Sequence, residues 1–174
     1  LNEGIYYDGS SSDPYVTFVA TAQVTAFSDG FETDLGWTTT GLWERGAPTG
    51  GGGQYGNPDP SSAYEGLSVM GYNLDGDYEN SLSERHLTSP TIDCSGLVGT
   101  KLRFYRWLGV EQSSYDHAYL RISTNGTSWT QLWTNEETIS DDEWVLQEFD
   151  ISAYADEQAN VYIRFTMGTT DASW

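Results

Sequence analysis

Positive charge is scarce in this sequence: its 174 residues include 7 lysines and arginines against 26 aspartates and glutamates, a formal net charge of −19. Such a negative surface repels nucleic-acid phosphates and anionic lipid headgroups, which argues against nucleic acid and membrane surfaces as partners. The charge favours divalent cations, and it equally suits a protein that stays soluble at high ionic strength. Both explanations remain open at the level of composition.

Cysteine and long apolar runs are also nearly missing. Cys94 is the single cysteine, so it has no partner for an internal disulfide and indicates nothing about secretion. No segment approaches the ~18 consecutive apolar residues of a membrane-spanning helix, which predicts no membrane insertion. The N-terminus carries no basic region followed by an apolar run, so the signal of an exported protein would lie outside this sequence.

Alternating apolar residues predict an all-β protein. Glycine, threonine, serine, tyrosine and tryptophan are abundant, and no proline follows Pro90, as expected of paired strands. Asn125-Gly126 predicts a tight type I′ turn between two strands, and residues 150–158 predict a helical turn. The pattern indicates at least seven strands in a two-sheet antiparallel sandwich. The predicted strands include residues 15–27, 102–108, 117–123, 129–133, 144–151 and 161–167.

One module accounts for most of the length. Residues 1–14 contain a loop-like DGSSSDP run and are interpreted as a linker or the tail of an upstream domain. Residues 15–28 are assigned to a leader strand and 29–174 to the module itself. The segment from Gly46 to Ala63 holds four consecutive glycines and three prolines, which predicts an irregular loop.

The most distinctive stretch is the acidic loop, residues 71–80. Asn73, Asp75, Asp77 and Glu79 alternate like the first ligands of an EF-hand. The sixth position is Tyr78 where an EF-hand requires glycine, and no flanking helices are predicted. A calcium site in a sandwich loop needs only the oxygens, so calcium binding and an ordinary acidic turn are both open.

Catalytic and zinc signals are weak. His86 and His117 are the only histidines, and no Gly-x-Ser-x-Gly motif accompanies them. One cysteine and two dispersed histidines do not build a structural zinc site. The glycine run lacks the lysine and helix start of a phosphate-binding loop. Carboxylate pairs for glycoside hydrolysis are too numerous to carry information.

Aromatic residues are the other binding signal. Seven tryptophans and twelve tyrosines exceed what a small core easily accommodates, and aromatic faces stack on sugar rings. Packing within the core or at strand edges is the alternative use of the same residues. Trp43, Tyr55 and Tyr78 are the predicted ligand-binding residues.

The order of motifs resembles that of the MAM-like jelly-roll modules of secreted bacterial proteins, the choice-of-anchor J or cleaved-adhesin type. The similarity covers about residues 29–174, and no single piece is specific. The matching motifs are Phe31-Glu32, Gly36-Trp37, Leu87-Thr88-Ser89-Pro90 with Ile92-Asp93, Leu102-x-Phe104, Tyr115-Asp116-His117-Ala118, Ile122-Ser123, Gly126-x-x-Trp129, Trp144 and Val161-Tyr162-Ile163-Arg164-Phe165.

The resemblance implies a calcium-stabilised jelly roll that acts in adhesion or substrate attachment without catalysis. It implies Glu32, Asp75, Asp77 and Asp116 as calcium ligands, with Asn73 as an amide ligand. Such modules usually close with a strand that begins Gly-Trp-x-Ile-Asp-Asp, and this sequence stops at Trp174 before it. We expect either a fragment, a strand supplied by another chain, or substitution by the leader strand.

These observations together predict a non-catalytic binding or adhesion module, extracellular or on the cell surface, which is normally appended to a secreted hydrolase or surface protein. Its expected partner is a glycan or a protein surface ligand. The alternative is a structural subunit of a surface fibre that self-associates by strand exchange. A carbohydrate-active enzyme is the third possibility.

Overall fold

The computed structural model describes residues 23–54 and 56–172, which form an all-β fold with antiparallel strand pairing. Residues 1–14, most of the predicted leader strand and Tyr55 lie outside the described residues. The strands are β1 Thr38–Thr39, β2 Trp43–Gly46, β3 Val69–Tyr72, β4 Arg85–Thr88, β5 Lys101–Arg106, β6 Gly109–Val110, β7 Ala118–Ser123, β8 Thr130–Thr134, β9 Ile139–Ser140, β10 Val145–Asp150 and β11 Tyr162–Met167; the helical turn α1 is Ser152–Ala155.

One layer is a five-stranded sheet in the order β1-β4-β11-β7-β8. Its central strands β7 and β11 pair along their whole length, from Tyr162 opposite Ser123 to Met167 opposite Ala118. Alternate residues of β7, which include Leu120 and Ile122, are buried on the inner face, since successive side chains of a strand point to opposite faces. The alternation in the sequence therefore places this sheet's apolar face on the core.

The opposite layer consists of three separate strand pairs, β2-β3, β5-β10 and β6-β9. Phe104 of β5 and Phe149 of β10 pack on the buried cluster around Leu120 and Ile122. Trp43 of β2 and Tyr72 of β3 pack on a second buried cluster, which contains Leu82, Val110, Ala118 and Met167. All three pairs thus cover the same face of the five-stranded sheet, and the fold is a sandwich.

The sandwich prediction is confirmed, and so are the strands that became β5, β7, β8, β10 and β11. The hairpin between β7 and β8 is also confirmed, but its type I′ turn is wrong. That turn requires a positive φ at both central residues, and of the two only Gly126 has one. Oδ1 of Asn125 instead accepts hydrogen bonds from the N–H groups of Thr127 and Ser128, which forms a longer connection.

The predicted leader strand has no strand geometry in its described part, residues 23–28. Val24 is 69% exposed there, although alternation places it on the apolar face of a strand. Phe27 contacts the fold, since its ring lies 6.3 Å from that of Trp37. The periodicity is real in the sequence, but no described strand pairs with these residues.

Candidate functional site

Three carboxylates, two from the connection between β6 and β7 and one from the segment after β11, meet beside the second core cluster. Ligand atoms of Glu111, Asp116 and Asp171 all lie within 4.8 Å of one another. Glu111 follows β6, Asp116 precedes β7, and Asp171 follows β11. These three residues are called the carboxylate cluster below. It is the one group of at least three potential metal-ligating side chains at such distances among the described residues.

Asp116 is the centre of this cluster and is 0% exposed. Its Oδ2 accepts a hydrogen bond from the Tyr78 hydroxyl, and its Oδ1 accepts one from the backbone N–H of Asp171 at 2.8 Å. Asn135, also buried, donates its Nδ2 hydrogens to the carbonyl oxygens of Glu111 and Asp116, at 2.7 and 3.0 Å. Hydrogen bonds to both carboxylate oxygens and to the backbone carbonyl of Asp116 therefore fix the position of this residue.

Hydrogen bonds of the Thr170 side chain and of the backbone bring the segment after β11 against the carboxylate cluster. The Thr170 hydroxyl donates to the carbonyl of Glu79 and accepts from the N–H of Leu82. The N–H of His117 donates to the carbonyl of Thr169 at 3.0 Å. Residues 169–171 therefore lie between the end of the acidic loop and the start of β7, which carries Asp171 to Asp116.

The electrostatics of the cluster favour a cation. Partial burial raises the pKa of Glu111, and the neighbouring charges of Asp116 and Asp171 raise it further. None of the ion pairs formed by lysine or arginine among the described residues includes Glu111 or Asp116. The donors are all oxygens, which suits a hard cation such as Ca²⁺.

A solvent-accessible apolar groove of about 270 Å³ lies between β3 and β5. Its walls are Val69–Tyr72 of β3 and residues 104–107 at the end of β5. Its floor is the inner face of the five-stranded sheet, where Leu120, Trp133 and Phe165 line it. β3 pairs only with β2, and β5 pairs only with β10, so no described strand fills the space between them.

An acidic pair, Asp59 and Asp77, stands at one end of this groove. A Cβ added to Gly52 would lie 2.7 Å from Oδ2 of Asp59 and 2.9 Å from Oδ1 of Asp77, so the two carboxylates flank that glycine. Burial raises the pKa of Asp59 to about 6, and the charge of Asp77 adds to the effect. Asp77 also accepts a hydrogen bond from the N–H of Gly53 at 2.7 Å, which orders the glycine run.

The predicted calcium ligands are dispersed. Oε1 of Glu32 accepts hydrogen bonds from the N–H groups of Leu67 and Ser68, which lower its pKa. The side-chain amide of Asn73 donates to the carbonyl of Asp77, and Asp77 points to Gly53. Neither these residues nor Asp75 belongs to the carboxylate cluster, which includes Asp116 alone of the predicted set.

Two of the predicted ligand-binding aromatics, Trp43 and Tyr78, line the groove. The indole N–H of Trp43 donates to the carbonyl of Arg85, which fixes its ring at the groove wall. The histidines lie apart, since His86 contacts the Thr166 hydroxyl and His117 contacts the carbonyl of Thr169. Neither contact forms a nucleophile–base–acid triad.

Glu111 and Asp171 were missed by sequence reasoning. Both are single acidic residues among many, and the nearest signal was the Tyr115-Asp116-His117-Ala118 motif that pointed to Asp116. Their proximity depends on the contact between the β6–β7 connection and the segment after β11, which no local pattern contains.

Comparison with known proteins gives one informative similarity. The chain is 30% identical over 168 residues to Bacillopeptidase F of Bacillus subtilis (strain 168). The alignment covers 93% of this chain but 11% of that protein's length, so the chain corresponds to a small part of its relative. No family model matches the chain, and no solved structure matches it. Among the described residues, no helix has the length and apolar character needed to span a membrane.

Proposed function

We propose that this chain is a non-catalytic extracellular binding module, normally part of a longer hydrolase or surface protein, and that calcium stabilises it. The observation that carries the binding role is the aromatic-lined groove between β3 and β5, an apolar concavity with a few polar groups at its end. Recognition sites for ligands commonly have this character. The similarity to a small part of a peptidase supports an appended role.

Calcium is proposed for the carboxylate cluster and not for the acidic loop. Glu111, Asp116 and Asp171 each bring a carboxylate oxygen within 4.8 Å of the others, and Ca²⁺ takes oxygen ligands of this kind. Burial and the neighbouring charges of Asp116 and Asp171 raise the pKa of Glu111, and a bound cation would offset both effects. It would also join the segment after β11 to the loop before β7, so its expected role is structural.

A fibre subunit that assembles by strand exchange is the second candidate. The unpaired edges of β3 and β5 favour it, because exposed strand edges are templates for further pairing. The net charge of −19 opposes it at low ionic strength, since two copies repel each other.

Binding to a glycan array and to immobilised extracellular proteins tests the module. We expect Trp43→Ala, at the groove wall, to weaken binding of any retained ligand at least fivefold. Trp129→Ala serves as the matched control, because the Trp129 ring stacks under Arg164 away from the groove. Hydrolysis of protein or polysaccharide by the isolated chain would contradict a non-catalytic role, and concentration-dependent filaments would favour the fibre subunit instead.

A further inference from the structure

The outer face of the five-stranded sheet is basic, although the chain as a whole is strongly acidic. None of the residues of β1, β4, β7, β8 and β11 is Asp or Glu, whereas the whole chain has 26 such residues. Since Leu87, Leu120 and Phe165 point to the core, the side chains between them point outward. This outward set is called the basic face below and consists of His86 and Thr88 on β4, Tyr119 and Arg121 on β7, Tyr162 and Arg164 on β11, and Trp129 just before β8.

Two arginines of the basic face lie directly opposite each other. Arg121 and Arg164 are cross-strand partners on β7 and β11, an arrangement in which like charges destabilise a sheet. Glu84 offsets the charge of Arg121 through two nitrogen–oxygen contacts of 2.7 Å. None of the ion pairs among the described residues includes Arg164, and burial and the charge of Arg121 lower the pKa of its guanidinium. The face therefore keeps one positive charge that a bound anion would offset.

Arg164 is held in a conformation suited to binding an anion. Its Cζ lies 3.7 Å from the centre of the Trp129 ring, so the guanidinium stacks on the indole. Its Nε donates a hydrogen bond to Oγ1 of Thr88 at 2.9 Å. The two terminal nitrogens, Nη1 and Nη2, donate to no described residue, and neither is buried. A guanidinium fixed in this way loses little side-chain entropy when its free N–H groups bind a carboxylate.

The backbone of the basic face is not available to a ligand. β7 lies between β11 and β8, and β11 lies between β4 and β7, so both strands use their backbone N–H and C=O groups within the sheet. A ligand therefore meets side chains alone, and strand addition, the mode by which extended peptides commonly bind, is excluded here. Sugars suit such a surface, because their hydroxyls and carboxylates bond to side-chain donors and their ring carbons contact aromatic side chains such as Tyr162.

We propose that the basic face binds an acidic polysaccharide, a polymer whose sugar rings carry carboxylates, and that Arg164 binds one of these carboxylates through both Nη groups. Arg121 adds positive potential beside it. The basic face lies on the side of the sheet opposite the groove, so this inference goes beyond the proposed groove and gives the same binding module a second surface with its own ligand class.

Sparse charge distinguishes this ligand from a dense polyanion. The net charge of −19 repels nucleic acid, in which phosphates follow one another closely. A polysaccharide with one carboxylate on each sugar separates its charges by a whole ring, and its hydroxyls are neutral. At 0.15 M ionic strength the Debye length is about 8 Å, so a carboxylate at Arg164 interacts mainly with nearby charges and little with the acidic loops of the other layer.

Short oligogalacturonides are the probe, and the same oligomers with methyl-esterified carboxylates are the matched control ligand. Calorimetry on the full chain at about 0.15 M ionic strength measures binding. A chelator is present, because calcium could otherwise bridge ligand carboxylates to the acidic loops. We expect the acid to bind and the ester to bind at least fivefold more weakly. The acid should shift the NMR signals of β7 and β11 and leave those of β3 and β5 unchanged.

Substitutions of Arg164 test the contact itself. Arg164→Gln should weaken binding at least fivefold, and it should fold because it removes one member of a like-charge pair. Arg164→Lys should restore only part of the binding, since lysine keeps the charge but loses the planar pair of donors. Trp129→Ala, the control for the groove, should weaken binding here because it releases the Arg164 side chain. Arg103→Gln, on exposed β5 of the opposite layer, is the matched control and should leave binding unchanged.

Unchanged binding by Arg164→Gln, equal binding of acid and ester, or no binding by the full chain would overturn the proposal. Tighter binding of oligoglutamate than of oligogalacturonide would also overturn it and indicate an acidic peptide as the ligand. Self-association that Arg164→Gln abolishes would overturn it in favour of a second copy. A ligand lost in Trp43→Ala and retained in Arg164→Gln would support the groove and not the basic face, so the two proposals fail separately.

Discussion

The Tyr78 hydroxyl donates a hydrogen bond to Oδ2 of Asp116, the fully buried carboxylate of the cluster. Tyr78 belongs to the acidic loop that first suggested calcium, and Asp116 precedes β7. Burial and the adjacent carboxylate raise the pKa of Tyr78 well above its ordinary value, so the hydroxyl remains a donor at any physiological pH. The acidic loop therefore contributes a hydrogen-bond donor to the cluster through its aromatic residue.

Tyr78→Phe should destabilise the protein by about 1.5–3 kcal/mol, because it removes the donor from a buried charged acceptor and keeps the ring. Urea unfolding at pH 7 without calcium measures the change. Tyr154→Phe is the control, since Tyr154 is exposed and should change stability by less than about 0.5 kcal/mol. Equal losses in the two variants would contradict the structural role of the Tyr78–Asp116 bond.

The calcium prediction separates the carboxylate cluster from the acidic loop. Calcium at about 100 times its dissociation constant should stabilise the unmodified chain by about 2.7 kcal/mol, and a chelator should reverse the gain. Glu111→Gln should lose most of this calcium-dependent increase in melting temperature, whereas Asp75→Asn should retain it. Glu111 suits the test because, unlike Asp116, it is not fully buried.

The difference between melting temperatures with and without calcium is the readout, so a general loss of stability in either variant does not matter. If Asp75→Asn removes the calcium response and Glu111→Gln keeps it, the acidic loop is the site. If neither the unmodified chain nor any variant responds, and elemental analysis finds no metal, calcium is not a ligand.

Asp59 predicts an unusual pH dependence. Its pKa is raised to about 6 in the folded chain from an ordinary value of 3.8, so the folded state binds this proton more tightly than the unfolded state does. Its contribution to stability is therefore greatest at low pH and is lost as pH rises through about 6. Urea midpoints measured from pH 4 to 7 in chelator should fall less steeply with rising pH in Asp59→Asn than in the unmodified chain. Asp142→Asn should follow the unmodified chain, and identical slopes in all three would contradict the raised pKa of Asp59, which comes mainly from burial and partly from the charge of Asp77.

The strands were predictable because their signal is local. Alternation at Leu120 and Ile122, or at Ile163 and Phe165, directly indicates which side chains face the core. The absence of regular structure in the glycine run was also readable from its composition. The structural reason for the glycines could not be predicted from composition. Gly52 leaves space for the carboxylates of Asp59 and Asp77, which lie 7 and 25 positions further along the chain.

The site was less predictable because it depends on where loops meet. The sequence pointed to Asp116 through a motif and to Asp77 through an acidic run, yet the fold places these two carboxylates in different sites. Glu32 was expected to bind metal; the N–H groups of Leu67 and Ser68 donate to Oε1 of its carboxylate, which anchors that loop, and metal binding by Glu32 stays a prediction. Carboxylates serve equally as loop anchors and as metal ligands, and only tertiary contacts distinguish the two uses.

On the outer face of the five-stranded sheet, Glu84 and Arg121 form an ion pair with two nitrogen–oxygen contacts of 2.7 Å, and Arg121 stacks over the ring of Tyr119. Hydrogen bonds from Arg121 lower the pKa of Glu84, so this contribution is present above pH 4.5 and is lost as pH falls through the lowered value. Glu84→Gln should therefore cost about 1 kcal/mol at neutral pH, reduced by its partial exposure.

Glu148→Gln is the matched comparison, since Glu148 is as exposed as Glu84, at 35%, but its partners Lys101 and Arg103 are more exposed than Arg121. Salt screens exposed pairs more than partly buried ones. Urea unfolding in 0.05 M and 1 M sodium chloride should therefore reduce the cost of Glu148→Gln more than that of Glu84→Gln. Equal salt sensitivity of the two variants would mean that the Glu84–Arg121 pair is as solvated as the Glu148 pair.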